Sequence, residues 1–167
     1  MRYSYLIFLF LLTTLFSCER DDICSSETET TPRLLIEFYD TDNPENIKSV
    51  PFIRVQGVDN DNTLDGLSGT SSANSLALPL RTDALITEYV ITKDYDETSG
   101  GNPDTVRITY NREDIYVSRA CGYKTIFTEV IISIVNDGDN WIDYSQPVDV
   151  DFQNVENERA THFKLFH

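Results

Sequence analysis

Residues 106–111 read Val-Arg-Ile-Thr-Tyr-Asn, in which apolar and polar side chains alternate strictly. Alternation with a period of two sends one set of side chains to each face of an extended strand, so it is typical of a strand with one buried face. The same pattern recurs at residues 34–39 and 76–80. Pro79 favours an edge or a bulge for the last stretch, because proline cannot donate to a strand ladder. All three stretches predict half-buried β-strands.

Further apolar runs bring the prediction to about nine strands, and they lie at 52–58, 85–92, 115–120, 123–135, 148–152 and 161–166. Residues 126–135 are apolar in both alternating sets, which indicates a strand buried on both sides or bent from one sheet to the other. Asn136, Asp137 and Gly138 predict a hairpin turn, and residues 63–75 predict a flexible loop. Many short strands separated by turns predict an all-β chain with one antiparallel β-sandwich, of immunoglobulin-like or transthyretin-like type.

Charge and composition exclude two classes of protein. The chain of 167 residues carries 28 acidic and 13 basic side chains, a formal net charge of −15. This charge repels polyanions, so a nucleic acid is excluded as a partner. Hydrophobic residues make up 40% of the chain, which is enough for a core and rules out a disordered acidic tail.

The first residues have the layout of a targeting segment. Arg2 precedes an apolar stretch at 5–16, which is well short of the roughly 20 residues that cross a bilayer. Leu15, Ser17 and Cys18 resemble the lipobox of bacterial lipoproteins, whose cysteine is acylated and becomes the first residue. We therefore predict a signal peptide at 1–17, a lipidated linker at 18–31 and the sandwich at 32–167. Ordinary cleavage after Ser17 is the alternative.

Lipidation of Cys18 would leave Cys24 and Cys121 as the remaining cysteines. An even pair in an exported, oxidising compartment predicts a disulfide, and two free thiols are the alternative. Cys18 and Cys24 are close in sequence, with a reach of at most about 20 Å, so the bridge would hold the domain near the membrane.

Four blocks of sequence carry a family resemblance, at residues 18–24, 34–40, 76–80 and 117–127. They resemble a family of Bacteroidota lipoproteins known only as a domain of unknown function. The resemblance implies a cell-envelope location and pairing of Cys24 with Cys121, and it implies no activity or catalytic residues. Residues 20–22, Arg-Asp-Asp, are similar to the signal that exports lipoproteins of that phylum to the outer face of the outer membrane.

Groups suited to catalysis are scarce. His162 and His167 are the two histidines, and on one strand their spacing places them on opposite faces, so they would not jointly bind a metal there. Residues 66–70 lack the second glycine position of a nucleophile elbow. Acylation and pairing of the cysteines would leave no thiolate. We predict that the protein is not an enzyme.

Two candidate ligand sites remain. Asp59, Asp61 and Asp65 alternate in a loop that could wrap calcium, although Leu64 stands where an EF-hand loop has glycine. A plain solvated turn is the alternative. Trp141 could stack on a glycan together with exposed tyrosines, drawn from Tyr39, Tyr89, Tyr110, Tyr116, Tyr123 and Tyr144.

The sequence thus supports two functional hypotheses. The favoured one is a non-catalytic interaction or scaffold domain, which needs no cofactor, is anchored to the outer membrane by lipid and binds another envelope protein through a sheet edge or loops. The alternative is a module that binds glycan or calcium. Exposure on the cell surface is preferred over a periplasm-facing anchor.

Overall fold

The computed structural model describes residues 23–149 and 153–167, and none of them is helical. The all-β prediction is confirmed, with nine named strands: β1 Leu34–Tyr39, β2 Arg54–Gly57, β3 Thr63–Ser68, β4 Ser75–Leu78, β5 Ile86–Lys93, β6 Asn102–Ser118, β7 Gly122–Val135, β8 Tyr144–Pro147 and β9 Phe163–Phe166.

These strands form two sheets. A four-stranded sheet has the order β4-β1-β9-β8, and a five-stranded sheet has the order β3-β2-β5-β6-β7. Antiparallel pairing predominates, as predicted, but β1 and β9 run parallel, with Ile36 opposite Phe163 and Phe38 opposite Leu165. The parallel pairing of β1 and β9 is a departure from the predicted antiparallel arrangement.

The described residues fall into two units. The smaller comprises 23–28 and Tyr116–Tyr123, and the larger comprises Glu29–Ile115 and Lys124–His167. The smaller unit contains a disulfide between Cys24 and Cys121, whose Cα atoms are 4.9 Å apart. The predicted disulfide is confirmed, and the predicted boundary between residues 31 and 32 stays a prediction.

Both sheets of the larger unit contribute to one hydrophobic core. Leu34, Ile36 and Phe38 of β1 are buried, as are Val106 and Ile108 of β6, while the residues between them are more exposed. This alternation is the packing pattern of two face-to-face sheets whose inner side chains interdigitate. The period of two in the sequence is therefore explained by burial of one face of each strand.

The set of alternating side chains that β7 buries changes near the middle of the strand. Thr125 and Phe127 are buried before the change, and Val130 and Ile132 after it. Glu129, between the two sets, has a positive φ of 53°, and such a parity change is produced by the extra residue of a β-bulge. The bulge explains why residues 126–135 are apolar in both alternating sets.

Four local predictions are wrong. The stretch at 106–111 and most of that at 115–120 lie in one strand, β6, rather than in two. Thr63–Ser68 is β3, paired with β2, rather than part of a flexible loop. The turn at Asn136–Gly138 does not close a hairpin, because β7 lies in the five-stranded sheet and the next strand, β8, lies in the other. Val148 and Asp149 lie just beyond β8 rather than in a strand, and 150–152 are outside the described residues. Pro79 follows the edge strand β4, as expected.

Asp104 accepts hydrogen bonds from the segment that connects the five-stranded sheet to the four-stranded sheet. Its Oδ2 accepts hydrogen bonds from the backbone N–H groups of Trp141, at 3.0 Å, and Ile142, at 2.7 Å. Burial raises the pKa of this carboxyl, and the two backbone hydrogen bonds oppose that rise. One side chain on β6 therefore satisfies two buried backbone donors of the connection to β8.

Replacing Asp104 by alanine should lower the free energy of unfolding by about 2–4 kcal/mol, because two buried N–H groups lose their acceptor. Asp104→Asn keeps an oxygen in place and is the matched control, with a smaller expected loss. Urea unfolding of the three proteins measures the difference. Equal stability of the alanine and asparagine variants would contradict this role.

Candidate functional site

A groove of about 560 Å³ lies between the edge strands of the two sheets. β3 ends the five-stranded sheet and β4 ends the four-stranded sheet, so each of them pairs with a strand on one side only. Leu64 and Leu67 line the groove from β3, and Leu76 and Ala77 line it from β4. The groove therefore lies where two sheets present unpaired edges.

The apolar walls of the groove are part of the packed structure. Leu76 and Ile36 are buried, and Leu64 and Leu67 pack against the same core cluster. Gly66, between the two β3 leucines, has a positive φ of 76°, a conformation that favours glycine. Side chains held in this way offer a binding surface that is largely formed before a ligand arrives.

Polar side chains on and beside β1 form the rim. Arg33 donates to Glu158 through Nε, at 3.0 Å, and through Nη2, at 2.5 Å, and the Arg33 backbone N–H also donates to that carboxylate, at 2.9 Å. The guanidinium holds the pKa of Glu158 below its usual range. Glu37 accepts a hydrogen bond from the Tyr39 hydroxyl. These contacts hold the rim side chains in place.

Other sheet edges are less open. The backbone of Gln153 and Val155 bonds to Val130 and Phe127 of β7 and so covers part of that edge. β8 ends in Pro147, which has no N–H to donate. Natural proteins blunt or cover sheet edges in these ways. Among the described strands, the β3 and β4 edges are thus the candidates for pairing with another chain.

His162 is held as a neutral ring beside β1. The backbone N–H of Leu35 donates to Nδ1, at 2.9 Å, so Nδ1 carries no proton, and Nε2 carries the proton and donates to the Asn157 carbonyl, at 3.0 Å. Burial lowers the pKa of His162, and burial also lowers the pKa of His167. Neither ring is placed with other ligating groups, since no three His, Cys, Asp or Glu side chains in the described ranges could hold a metal.

The free energy of unfolding should decrease as the pH falls below about 6.5, the ordinary pKa of histidine. The unfolded chain takes up protons at His162 and His167 first, because both pKa values are lowered in the folded state. Urea unfolding at about pH 7.5 and about pH 5.5 measures the effect. His162→Gln should weaken the dependence, and an unchanged dependence would exclude His162 as a contributor.

The predicted calcium ligands do not converge. Asp59 takes a positive φ of 60° in the turn after β2, whereas Asp65 lies in β3. Asn62 donates its backbone N–H to the Asn60 side chain, as in an Asx turn. Asp59, Asp61 and Asp65 are thus turn and strand residues that form no metal site in this part of the chain, and the plain turn explains them.

Millimolar calcium should therefore leave the melting temperature unchanged. A site occupied at 100 times its dissociation constant would add about 2.7 kcal/mol to the stability. Thermal unfolding with calcium, with magnesium as the matched control, measures this. A rise specific to calcium would contradict the structure.

Trp141 is a core residue. Its side chain is 9% exposed, its indole N–H donates to the Ile91 carbonyl, and its ring packs at 6.0 Å from Phe38 and 5.5 Å from His167. A sugar ring needs an open aromatic face, so the predicted glycan contact at Trp141 is wrong.

Cys18, the predicted lipidation site, lies outside the described residues.

Sequence reasoning missed the groove. The sequence predicts a loop at 63–75, where the groove has its β3 residues, and it predicts only strand positions for Glu37 and Ala77. The spacing of Leu64 and Leu67 on either side of Asp65 and Gly66 was the available signal for a bent edge strand.

No helix among the described residues is long and apolar enough to span a bilayer.

Comparison with known proteins identifies a family without an assigned role. A family model described as a family of unknown function (DUF6452) matches residues 52–167. No curated protein matches the chain, and no solved structure matches it.

Proposed function

The chain belongs to the DUF6452 family of unknown function, and we propose that it is a lipid-anchored protein of the bacterial cell envelope that binds another envelope protein and catalyses no reaction. The observation that carries the binding role is the groove between β3 and β4. An unpaired edge beside an apolar groove suits the addition of an extended segment as a further strand.

The added strand would continue the four-stranded sheet beyond β4. Main-chain hydrogen bonds to the outer side of β4 would supply affinity, and side chains on alternate positions would reach Leu64 and Leu67 across the groove. β4 has four residues, so the paired length would be about 13 Å. Such an interface is small, in the range of weak and transient contacts.

Membrane anchoring offsets the small interface. Two proteins tethered to one membrane meet at a high effective concentration, which strengthens a weak contact without any new interaction. Acylation of Cys18 would provide the tether, because stable anchoring needs two or more acyl chains and lipoprotein acylation supplies them. The anchor lies in the outer membrane, and the Arg-Asp-Asp sequence at 20–22 favours its outer face.

Photo-crosslinking in living cells tests the binding role. A benzoyl-phenylalanine placed at Ala77, in the groove, should give a discrete adduct with another envelope protein. The matched control is Ile131, a 57% exposed residue of β7, where no such adduct is expected. Adducts at both positions, or at neither, would contradict a partner bound at the groove.

Two further measurements test the anchor and its location. Cys18→Ala should remove the acyl mass and release the protein from the membrane fraction. Protease added to intact cells should digest the wild-type protein, with a lipoprotein of the periplasmic face as the leakage control. Protection until the outer membrane is opened would overturn surface exposure and leave the anchor in place.

A further inference from the structure

The smaller unit exposes apolar and aromatic side chains. Ile23 is 85% exposed, Tyr116 is 58% exposed and Tyr123 is 69% exposed. The two tyrosine rings contact each other edge to face, with centroids 5.4 Å apart. A shallow groove of about 500 Å³ lies beside them, and Ile23 and Tyr116 are among its walls. We call Ile23, Tyr116 and Tyr123 the tip cluster.

The disulfide is the link that brings the tip cluster together. Ile23 precedes Cys24, and Cys121 is two residues before Tyr123. The bridge therefore fixes the segment that leads toward Cys18 beside the turn between β6 and β7. Because Ile23 is five residues from Cys18, its Cα is at most about 18 Å from the Cα of the proposed lipidated residue.

The unit that holds the tip cluster is acidic, like the chain as a whole. Its described residues carry one acidic side chain, Glu27, and one basic side chain, Arg119, and residues 19–22, Glu-Arg-Asp-Asp, add three acidic side chains and one basic one between Cys18 and Ile23. Electrostatic repulsion from anionic lipid decays within about 8–10 Å at ordinary ionic strength. Burial of the apolar and aromatic side chains of the tip cluster, rather than charge, would therefore have to drive any contact with such a bilayer.

We propose that the tip cluster inserts into the interfacial layer of the bilayer that holds the acylated Cys18. Tyrosine is enriched at membrane interfaces because its ring is apolar and its hydroxyl stays hydrated. The lipid acts as a tether, and the tip cluster acts as a second contact that fixes the orientation of the smaller unit. This inference rests on the lipid anchor of the proposed function.

Tryptophan fluorescence of the mature, acylated protein tests the inference. Tyr116→Trp and Tyr123→Trp each place a reporter in the tip cluster, and Tyr144→Trp is the matched control at a 41% exposed tyrosine of the larger unit. The unsubstituted protein gives the background, since its one tryptophan, Trp141, is buried. The vesicles contain phosphatidylethanolamine and phosphatidylglycerol with brominated acyl chains, which quench fluorescence at short range.

Both tip reporters should be quenched and shifted to shorter wavelength in the vesicles, and the Tyr144→Trp reporter should not. The intact mass of each sample establishes acylation of Cys18 and the presence of the disulfide. Acylated protein with unquenched tip reporters would overturn the insertion and leave the anchor standing. Equal quenching at all three positions would overturn a specific role of the tip cluster. Unmodified Cys18 would overturn the lipid anchor and, with it, the insertion that rests on the anchor.

Discussion

Replacing Phe38 by alanine should lower the free energy of unfolding by about 3–5 kcal/mol, the usual loss for a buried phenylalanine. The Phe38 side chain is 0% exposed and lies between the two sheets. Its ring centroid is 6.0 Å from that of Trp141 and 5.9 Å from that of His167. The substitution would leave a cavity at the point where β1, β9 and the residues before β8 pack together.

Ile131→Ala is the control for this substitution. Ile131 also lies in a strand, but its side chain is largely exposed, so the expected change is within about 0.5 kcal/mol. Urea unfolding followed by circular dichroism measures both variants. A loss at Phe38→Ala no larger than at Ile131→Ala would contradict the shared core.

Removing the disulfide should lower the free energy of unfolding by a similar amount. Cys24 and Cys121 are 97 residues apart in sequence. Closing a loop of this length restricts the unfolded chain, and the entropic model gives about 4–5 kcal/mol for it. The double variant Cys24→Ala with Cys121→Ala should therefore unfold at a much lower urea concentration than the wild type.

Cys18→Ala is the matched control for the cysteine substitutions, because it removes a cysteine that is outside the bridge. It should leave the urea midpoint unchanged. Reduction of the wild-type protein should add two hydrogens to its intact mass and reproduce the instability of the double variant. Two thiols that react with an alkylating agent before reduction would contradict the bridge.

Sequence patterns predicted the strands that have one buried face. In β1 and in the middle of β6, alternate side chains are buried, and this produces a clear period of two. β3 was missed because its side chains are mostly exposed or half-buried and because Asp65 and Gly66 interrupt it. β8 was missed for a similar reason, since none of its residues is fully buried. β3 and β8 lose the periodic signal because they have no fully buried side chain, whereas the edge strand β4 keeps it because Leu76 and Leu78 are buried.

The disulfide was predictable and the groove was not. With Cys18 set aside as the predicted lipidation site, counting cysteines leaves one pair, whereas the groove depends on strand order. β1 lies between β4, which comes later in the chain, and β9, the last strand. No local pattern specifies that the edge of β4 faces the edge of β3. The position of Trp141 was not predictable from a local pattern either, because an aromatic residue after a turn is equally compatible with a surface site and with a core position.

Hydrogen exchange at β4 is the sharpest test of strand addition. The protein is purified from solubilised envelopes together with its partner and compared with the protein alone. Peptides that cover Ser75–Leu78 should exchange more slowly in the complex, because the partner's strand accepts hydrogen bonds from the outer N–H groups of β4. Peptides around Ile131 in β7 should be unchanged. Equal exchange at β4 with and without the partner would contradict the account.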